Sequence, residues 1–329
     1  MPGVTIVDDA RRLAEEAHAG QMRKGSDRPY IHHPAEVAAG VAANGGADEV
    51  VAAAWLHDVV EDTERSLDDV RAATGDRVAA LVAAVTEPEK DVSWEERKRH
   101  SLARLAAGDE DVALLKGSDT LANAREIVRN ASDGEDVWAR FNRPRTKQLW
   151  WYLSVARLVR ERLPGHPLAG ELTRAVDKVC LIGLRPAGEA DLDAVLGLVE
   201  ELFAPPSSRA SSYSPQEARE RARWWLGDGR LLLLADDDQG RPAGYVAAAV
   251  DIESIRFGRR AWVEDLVTSP ATRRLGHGAA LLAGARAWAR ERGCSHLVLT
   301  TSLARTGSHA FYDREGGSFA SRAYRWALD

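Results

Sequence analysis

The chain changes its grammar near Val179. Before that point apolar residues recur at helical spacing between short polar or Gly/Pro-bearing turns, and nothing reads as a strand. Helices are expected over residues 7–19, 34–43, 47–58, 67–74 and 76–86, in the later part of 91–107, from 111 past Asp119, and over 143–160. After the break Leu163-Pro164-Gly165-His166-Pro167, one more helix is expected over 168–179. Beyond it strands are expected over 181–186, 231–235, 244–252, 261–268 and 296–301, alternating with helices over 191–203, 214–226 and from the loop at 273–280 to about 292. Residues 236–240 read as a hairpin turn and the Ser-rich 205–214 as a mobile loop. At 329 residues the chain is long for one average domain, so two are expected: an all-α domain over 1–179 and an α/β domain over 180–329.

Within the helical half, Ala54-Trp55-Leu56-His57-Asp58-Val59-Val60-Glu61-Asp62 sets two polar pairs into an Ala-rich apolar run. On one helix His57, Asp58, Glu61 and Asp62 can face a single pocket, because positions three and four apart share a face. The alternative is a helix turning from its buried face to its solvated one. Burying carboxylates without partners is costly, which makes that alternative hard to reconcile with a pair directly after Trp55-Leu56. Two further stretches can supply partners: Pro29-Tyr30-Ile31-His32-His33-Pro34 and Lys116-Gly117-Ser118-Asp119-Thr120-Leu121-Ala122-Asn123. Neutral imidazoles combined with carboxylates suit Mn, Fe or Zn better than Ca.

In their order, Arg23-Lys24-Gly25, the His33 stretch, Leu56 to Thr63 and Lys116 to Asn123 resemble the HD superfamily of metal-dependent phosphohydrolases, in its RelA/SpoT-type alarmone-hydrolase branch, over roughly residues 8–178. The resemblance implies that His33, His57, Asp58 and Asp119 hold one Mn²⁺ or another divalent metal, that Glu61 and Asp62 orient and deprotonate the attacking water, and that Arg23, Lys24 and Asn123 position a (p)ppGpp-type nucleotide. His32 stands at a variable position of that pattern. Gly117-Ser118 depart from it, since an apolar residue and Ala are usual there, and a mid-helix Gly costs up to about 1 kcal/mol of helix stability. Another nucleotide or a nucleoside-like metabolite is the alternative substrate. The aromatic residues Trp150, Trp151 and Tyr152 lie on the amphipathic 143–160 helix, where the family closes its nucleotide site; at helical spacing a core role is the alternative.

In the second half Arg273-Arg274-Leu275-Gly276-His277-Gly278 sits between a strand and a helix, where backbone amides and glycines make a pyrophosphate cradle. Together with the strand before it, the strand 296–301 and Ala310-Phe311-Tyr312-Asp313-Arg314-Glu315-Gly316-Gly317-Ser318-Phe319, this loop resembles a GNAT-type acetyltransferase with a mixed sheet, over about 181–329. The resemblance implies that Arg273, Gly276 and Gly278, with Leu266 and Thr268 of the preceding strand, bind acetyl-CoA, and that Tyr312 is the general acid for the leaving thiolate. Glu264 is the expected base toward an unidentified amine acceptor, with Asp265 the alternative, because strand residues alternate faces and one of the two should point at the site. A non-catalytic acyl-CoA sensor that regulates the hydrolase is the reading from a different class.

A formal net charge of −6 argues against general nucleic-acid binding, and no apolar run reaches membrane-span length. Residues 1–9 lack a secretory pattern, so a cytoplasmic protein is expected. Cys180 and Cys294 are isolated and read as packing residues.

Overall fold

The computed structural model describes all residues except 1–4, 25–26, 88–91, 206, 208, 210–212, 257 and 319–329, and the side chains of 252 and 254. Gly25 and Phe319 of the quoted motifs, and much of the 205–214 loop, therefore lie outside the described residues. The chain divides into two compact units, each built from two segments: residues 1–143 with 151–176, and residues 144–150 with 177–329. No helix among the described residues is long and apolar enough to cross a membrane.

The first unit is helical. Its elements are α1 (Ile6–Ala17), α2 (His32–Ala43), α3 (Asp48–Leu56), the single turn α4 (Val59–Asp62), α5 (Leu67–Thr74), α6 (Asp76–Val85), α7 (Trp94–Ala107) and α8 (Glu110–Ser132), followed by most of α9 (Arg145–Arg162) and of α10 (Pro167–Leu181). Capping boxes start three of them: Thr5 with Asp8, Ser66 with Asp69 and Ser93 with Glu96. Helix α3 is the centre, packed against α1, α2, α6 and α8. Its Ala52, Ala53 and Ala54 are fully buried, so neighbouring helices approach closely and the apolar run is used on every side.

Two expectations are corrected here. The helix expected over 47–58 ends at Leu56, and His57 and Asp58 form the break before α4. The cause is local: His57 Nδ1 donates to the Ala54 carbonyl at 2.7 Å, the acceptor that a continuing helix would offer to the Asp58 amide. The Gly117 departure, by contrast, does not interrupt α8, which runs through it for 23 residues. A Cβ at Gly117 would lie 3.0 Å from Leu168 Cδ2 and 3.2 Å from Val159 Cγ1, so close packing against α9 and α10 explains the glycine.

The second unit holds a five-stranded sheet in the order β1 (Leu184–Pro186), β2 (Arg230–Asp236), β3 (Pro242–Ser254), β4 (Gly258–Thr268) and β5 (His296–Leu299), antiparallel except for the parallel β4–β5 pair. The strand expected from 181 starts only at Leu184: Leu181 still belongs to α10, and Gly183 turns the chain at φ +87°. Helix α13 (His277–Glu291) covers one face through Leu281, Ala285 and Trp288 against Val246, Ala248, Ala261 and Val263. The other face packs Tyr245, Ala247 and Val267 against Val195 and Leu198 of α11 (Leu192–Val199). Helices α12 (Pro215–Trp224) and α14 (Thr306–Arg314) complete the unit.

Strand β4 does not alternate throughout. Ala247 pairs with Asp265 but Ala248 with Val263, so Glu264 is the extra residue of a β-bulge. The bulge inverts the phase: Ala261 and Val263 face α13, yet so does Leu266, while Val267 faces α11.

Candidate functional site

Three segments far apart in sequence bring four donors of the first unit together. His33 lies in the first turn of α2, His57 and Asp58 in the α3–α4 break, and Asp119 on α8. His33 Nε2 and His57 Nε2 are 3.3 Å apart. Asp58 Oδ2 stands 3.1 Å from His57 Nε2 and 3.6 Å from His33 Nε2; Asp119 Oδ1 stands 3.7 and 3.4 Å from the same two nitrogens. His33, His57 and Asp119 are buried, and Asp58 is half-buried.

The chemistry of this donor set fits a divalent cation. A carbonyl can only accept, so the 2.7 Å contact to Ala54 places a proton on His57 Nδ1 and turns Nε2 toward His33 and the carboxylates. Burial opposes a second proton on that ring, but Asp58 and Asp119 outweigh it and push the imidazole up to about 10, so a divalent cation bound there would take the place of the Nε2 proton. Among the described residues His33, His57 and Asp58 have donor atoms within 4.8 Å of one another. Burial opposes charge on Asp58, but the imidazoles outweigh it and hold its carboxyl well below the usual range. Asp119 is lowered likewise, burial being outweighed chiefly by Lys116.

Around the four donors lies a shell of fixed partners. Tyr30 Oη reaches Asp58 Oδ2 at 2.6 Å and Asp62 Oδ2 at 3.1 Å, and Gln21 Nε2 donates to the Asp62 carbonyl at 2.9 Å. Glu61 accepts from the Glu87 amide at 3.2 Å; burial, then the charge of Glu87, raises its carboxyl. Glu87 in turn pairs with Arg97 and Lys98. Asn123 Nδ2 donates to Asp119 Oδ1 at 2.6 Å, as the four-residue spacing on α8 predicts. Arg23 donates to Asn123 Oδ1 at 2.9 Å and pairs with Glu126, so it joins the pocket wall through Asn123. Lys24 is exposed, and so is His32 at the start of α2. Tyr30, Glu126 and Lys116 were missed as site residues, although Tyr30 and Lys116 stand inside the quoted motifs; the signal for Lys116 is its three-residue spacing from Asp119.

In the second unit the loop before α13 carries two residues at positive φ, Arg274 at 65° and Gly276 at 91°. Gly276 is the N-cap and offers no side chain to the helix, so the amides that open α13 are left for an anion. Around Gly278 a Cβ would find only ordinary contacts, Phe311 Cζ at 3.6 Å and Thr268 Cγ2 at 3.7 Å. Arg273 is exposed and reaches Glu201 at 3.4 Å. Tyr312 is half-buried, its ring 5.2 Å from that of Phe311; burial raises its phenol and the charge of Arg305 opposes that.

The bulge overturns the expectation that Glu264 and Asp265 point to opposite faces. Glu264 is exposed and accepts from Trp262 Nε1 at 3.0 Å, whereas Asp265 accepts from the buried Tyr245 hydroxyl at 2.9 Å. Burial raises the Asp265 carboxyl, and the hydrogen bond from Tyr245 only partly offsets that. Both lie on the side of the sheet away from α13.

Fold and site together define an HD domain followed by a GNAT domain. The HD domain family matches residues 10–146, and the acetyltransferase (GNAT) family matches residues 197–317. The chain is 33% identical over 132 residues to the guanosine-3′,5′-bis(diphosphate) 3′-pyrophosphohydrolase MESH1 of Xenopus tropicalis, covering 39% of this chain and 73% of that protein. It is 36% identical over 124 residues to the guanosine-3′,5′-bis(diphosphate) 3′-pyrophosphohydrolase of Aquifex aeolicus, 37% of this chain but only 18% of that relative's length. A solved acetyltransferase of Trypanosoma brucei is 28% identical, with a TM-score of 0.36, over 44% of this chain and 98% of its own. The chain thus belongs to the guanosine-3′,5′-bis(diphosphate) 3′-pyrophosphohydrolase family, through an HD domain that it carries together with a GNAT domain.

Proposed function

We propose that the chain is a cytoplasmic, bifunctional enzyme whose residues 1–179 hydrolyse a (p)ppGpp-type nucleotide to release pyrophosphate, and whose residues 180–329 transfer an acetyl group from acetyl-CoA to an amine. The observation that carries the hydrolase reading is the convergence of two imidazole nitrogens 3.3 Å apart with Asp58 and Asp119 at their side. His33, His57, Asp58 and Asp119 would hold Mn²⁺ or a similar divalent ion. When bound, that ion acidifies water and neutralises charge on phosphoryl oxygens. Glu61, with its carboxyl raised by burial, and Asp62, held by Tyr30, take the proton of the attacking water. Asn123, fixed between Asp119 and Arg23, orients the nucleotide together with Arg23 and Lys24.

In the transferase half the amides opening α13, with Arg273, Gly276 and Gly278, receive the pyrophosphate of acetyl-CoA, and the edge of β4 at Leu266 and Thr268 guides its pantetheine arm. Glu264 removes the proton of the attacking amine, and Tyr312 protonates the departing CoA sulfur. No general nucleic-acid binding belongs to this reading.

The test is pyrophosphate release by metal-loaded protein from ppGpp, beside other phosphorylated nucleotides and NADPH, with CoA release from acetyl-CoA and a panel of amines measured in parallel. Metal-dependent release from ppGpp is the expected result. Equal or greater turnover of another nucleotide would replace the substrate, and acetyl-CoA binding without CoA release, accompanied by a change in hydrolase rate, would make the second half a sensor.

A further inference from the structure

We infer that Lys116 is a positioning residue of the metal centre, which fixes the Asp119 carboxylate so that one chosen oxygen faces the imidazoles; this deepens the hydrolase reading and rests on it. Lys116 and Asp119 are three apart on α8, and Lys116 Nζ lies 2.9 Å from Asp119 Oδ2. Both side chains are nearly enclosed, with 12% and 11% of their surfaces exposed. The two carboxylate oxygens are therefore divided between two tasks. Oδ2 is held by the ammonium, and Oδ1 accepts from Asn123 at 2.6 Å while standing 3.4 Å from His33 Nε2. An oxygen carries two lone pairs, so Oδ1 keeps one for a cation after serving Asn123. The ammonium is held in turn by the Trp151 ring, whose centroid is 5.5 Å from Nζ, on a residue that is itself buried.

Charge alone and orientation predict opposite signs, which makes the inference testable. The pocket gathers Asp58, Glu61, Asp62 and Asp119; if Lys116 only offset that negative charge, removing it would tighten binding of a cation. If it orients Asp119, removing it frees the carboxylate to rotate or to chelate through the wrong oxygen, and binding weakens as it does on loss of other partners that orient ligands, about 10- to 100-fold. Mn²⁺ affinity of the metal-stripped full-length chain is measured by titration calorimetry and by competition with a chelating dye, for the wild type, Lys116→Met and Lys116→Gln, with the metal-free melting temperature of each.

The expected result is Mn²⁺ affinity weakened 10- to 100-fold in Lys116→Met, partly restored in Lys116→Gln, whose amide can still donate to Oδ2. The loss should disappear in an Asp119→Asn background, because the two residues act as one unit. Unchanged or tighter binding by Lys116→Met overturns the inference while leaving the metal site standing. Failure of the wild type itself to bind Mn²⁺, or any comparable divalent ion, removes the metal reading instead. Should Lys116→Met not fold, Lys116→Gln decides: wild-type affinity in a variant that lacks the charge but keeps the donor supports orientation, and tightened affinity overturns it.

Discussion

The four proposed metal ligands and the proposed proton acceptors stand in different relations to their surroundings, and substitution should separate them. His57→Ala or Asp58→Ala removes a donor from the cluster, so metal and pyrophosphate release should be lost together, with a lowered melting temperature under metal-replete conditions. Glu61→Gln with Asp62→Asn keeps the shape and the contacts to Glu87 and Tyr30, so elemental analysis should find metal retained while turnover falls roughly 10²- to 10⁴-fold. In the other unit, Asp265 gives a pH signature. Its carboxyl is raised by burial, so the folded chain holds that proton more tightly than the unfolded one; the resulting stabilisation is complete below the ordinary carboxylate pKa and fades as pH rises through the raised value. Denaturant unfolding between acid and neutral pH should therefore show a slope of that sign, and Asp265→Asn should flatten it.

Elements explain why part of the site could be read from sequence and part could not. The proposed ligands His33, His57, Asp58 and Asp119 could be named from sequence because the His57–Asp58 pair is unusual in an apolar run and the order of the motifs resembles the HD pattern, which implied the other two; the structure brings the four side chains together. The break at His57 was not legible, because periodicity registers side-chain faces and says nothing of a ring nitrogen taking the Ala54 carbonyl. The bulge at Glu264 was equally hidden: Val263-Glu264-Asp265-Leu266 reads as one more strand segment, and only pairing with β3 shows the extra residue. Gly117 looked like a flaw in α8, whereas its reason lies on other helices. Gly117→Leu would press against Leu168 and Val159 and should cost about 1–3 kcal/mol in denaturant unfolding. At the start of α13, Gly276→Val should abolish acetyl-CoA binding, since φ +91° is closed to a β-branched residue and its methyls would enter the loop that opens the helix.

On the scale of the whole chain, the segmentation matters most. The second unit counts Asp177 among its own residues: this carboxylate, 1% exposed, meets Arg286 Nη2 at 2.7 Å and Arg290 Nη1 at 2.5 Å, while Arg145 of the same unit donates to the Cys180 and Ile182 carbonyls. Asp177→Ala would leave the Arg286 guanidinium enclosed without its carboxylate, a loss of about 3 kcal/mol. A fragment of residues 177–329 should accordingly melt higher than one of 181–329, which circular dichroism can read directly. Because each unit draws on two stretches of chain that interleave at 144–150 and 151–176, no single crossover between genes can transplant one of them without taking a piece of the other. A recombination event that exchanged everything after residue 143 would carry away part of the hydrolase unit, and one after residue 176 would strand a piece of the other. The two halves are therefore expected to travel through a lineage together rather than to be traded separately.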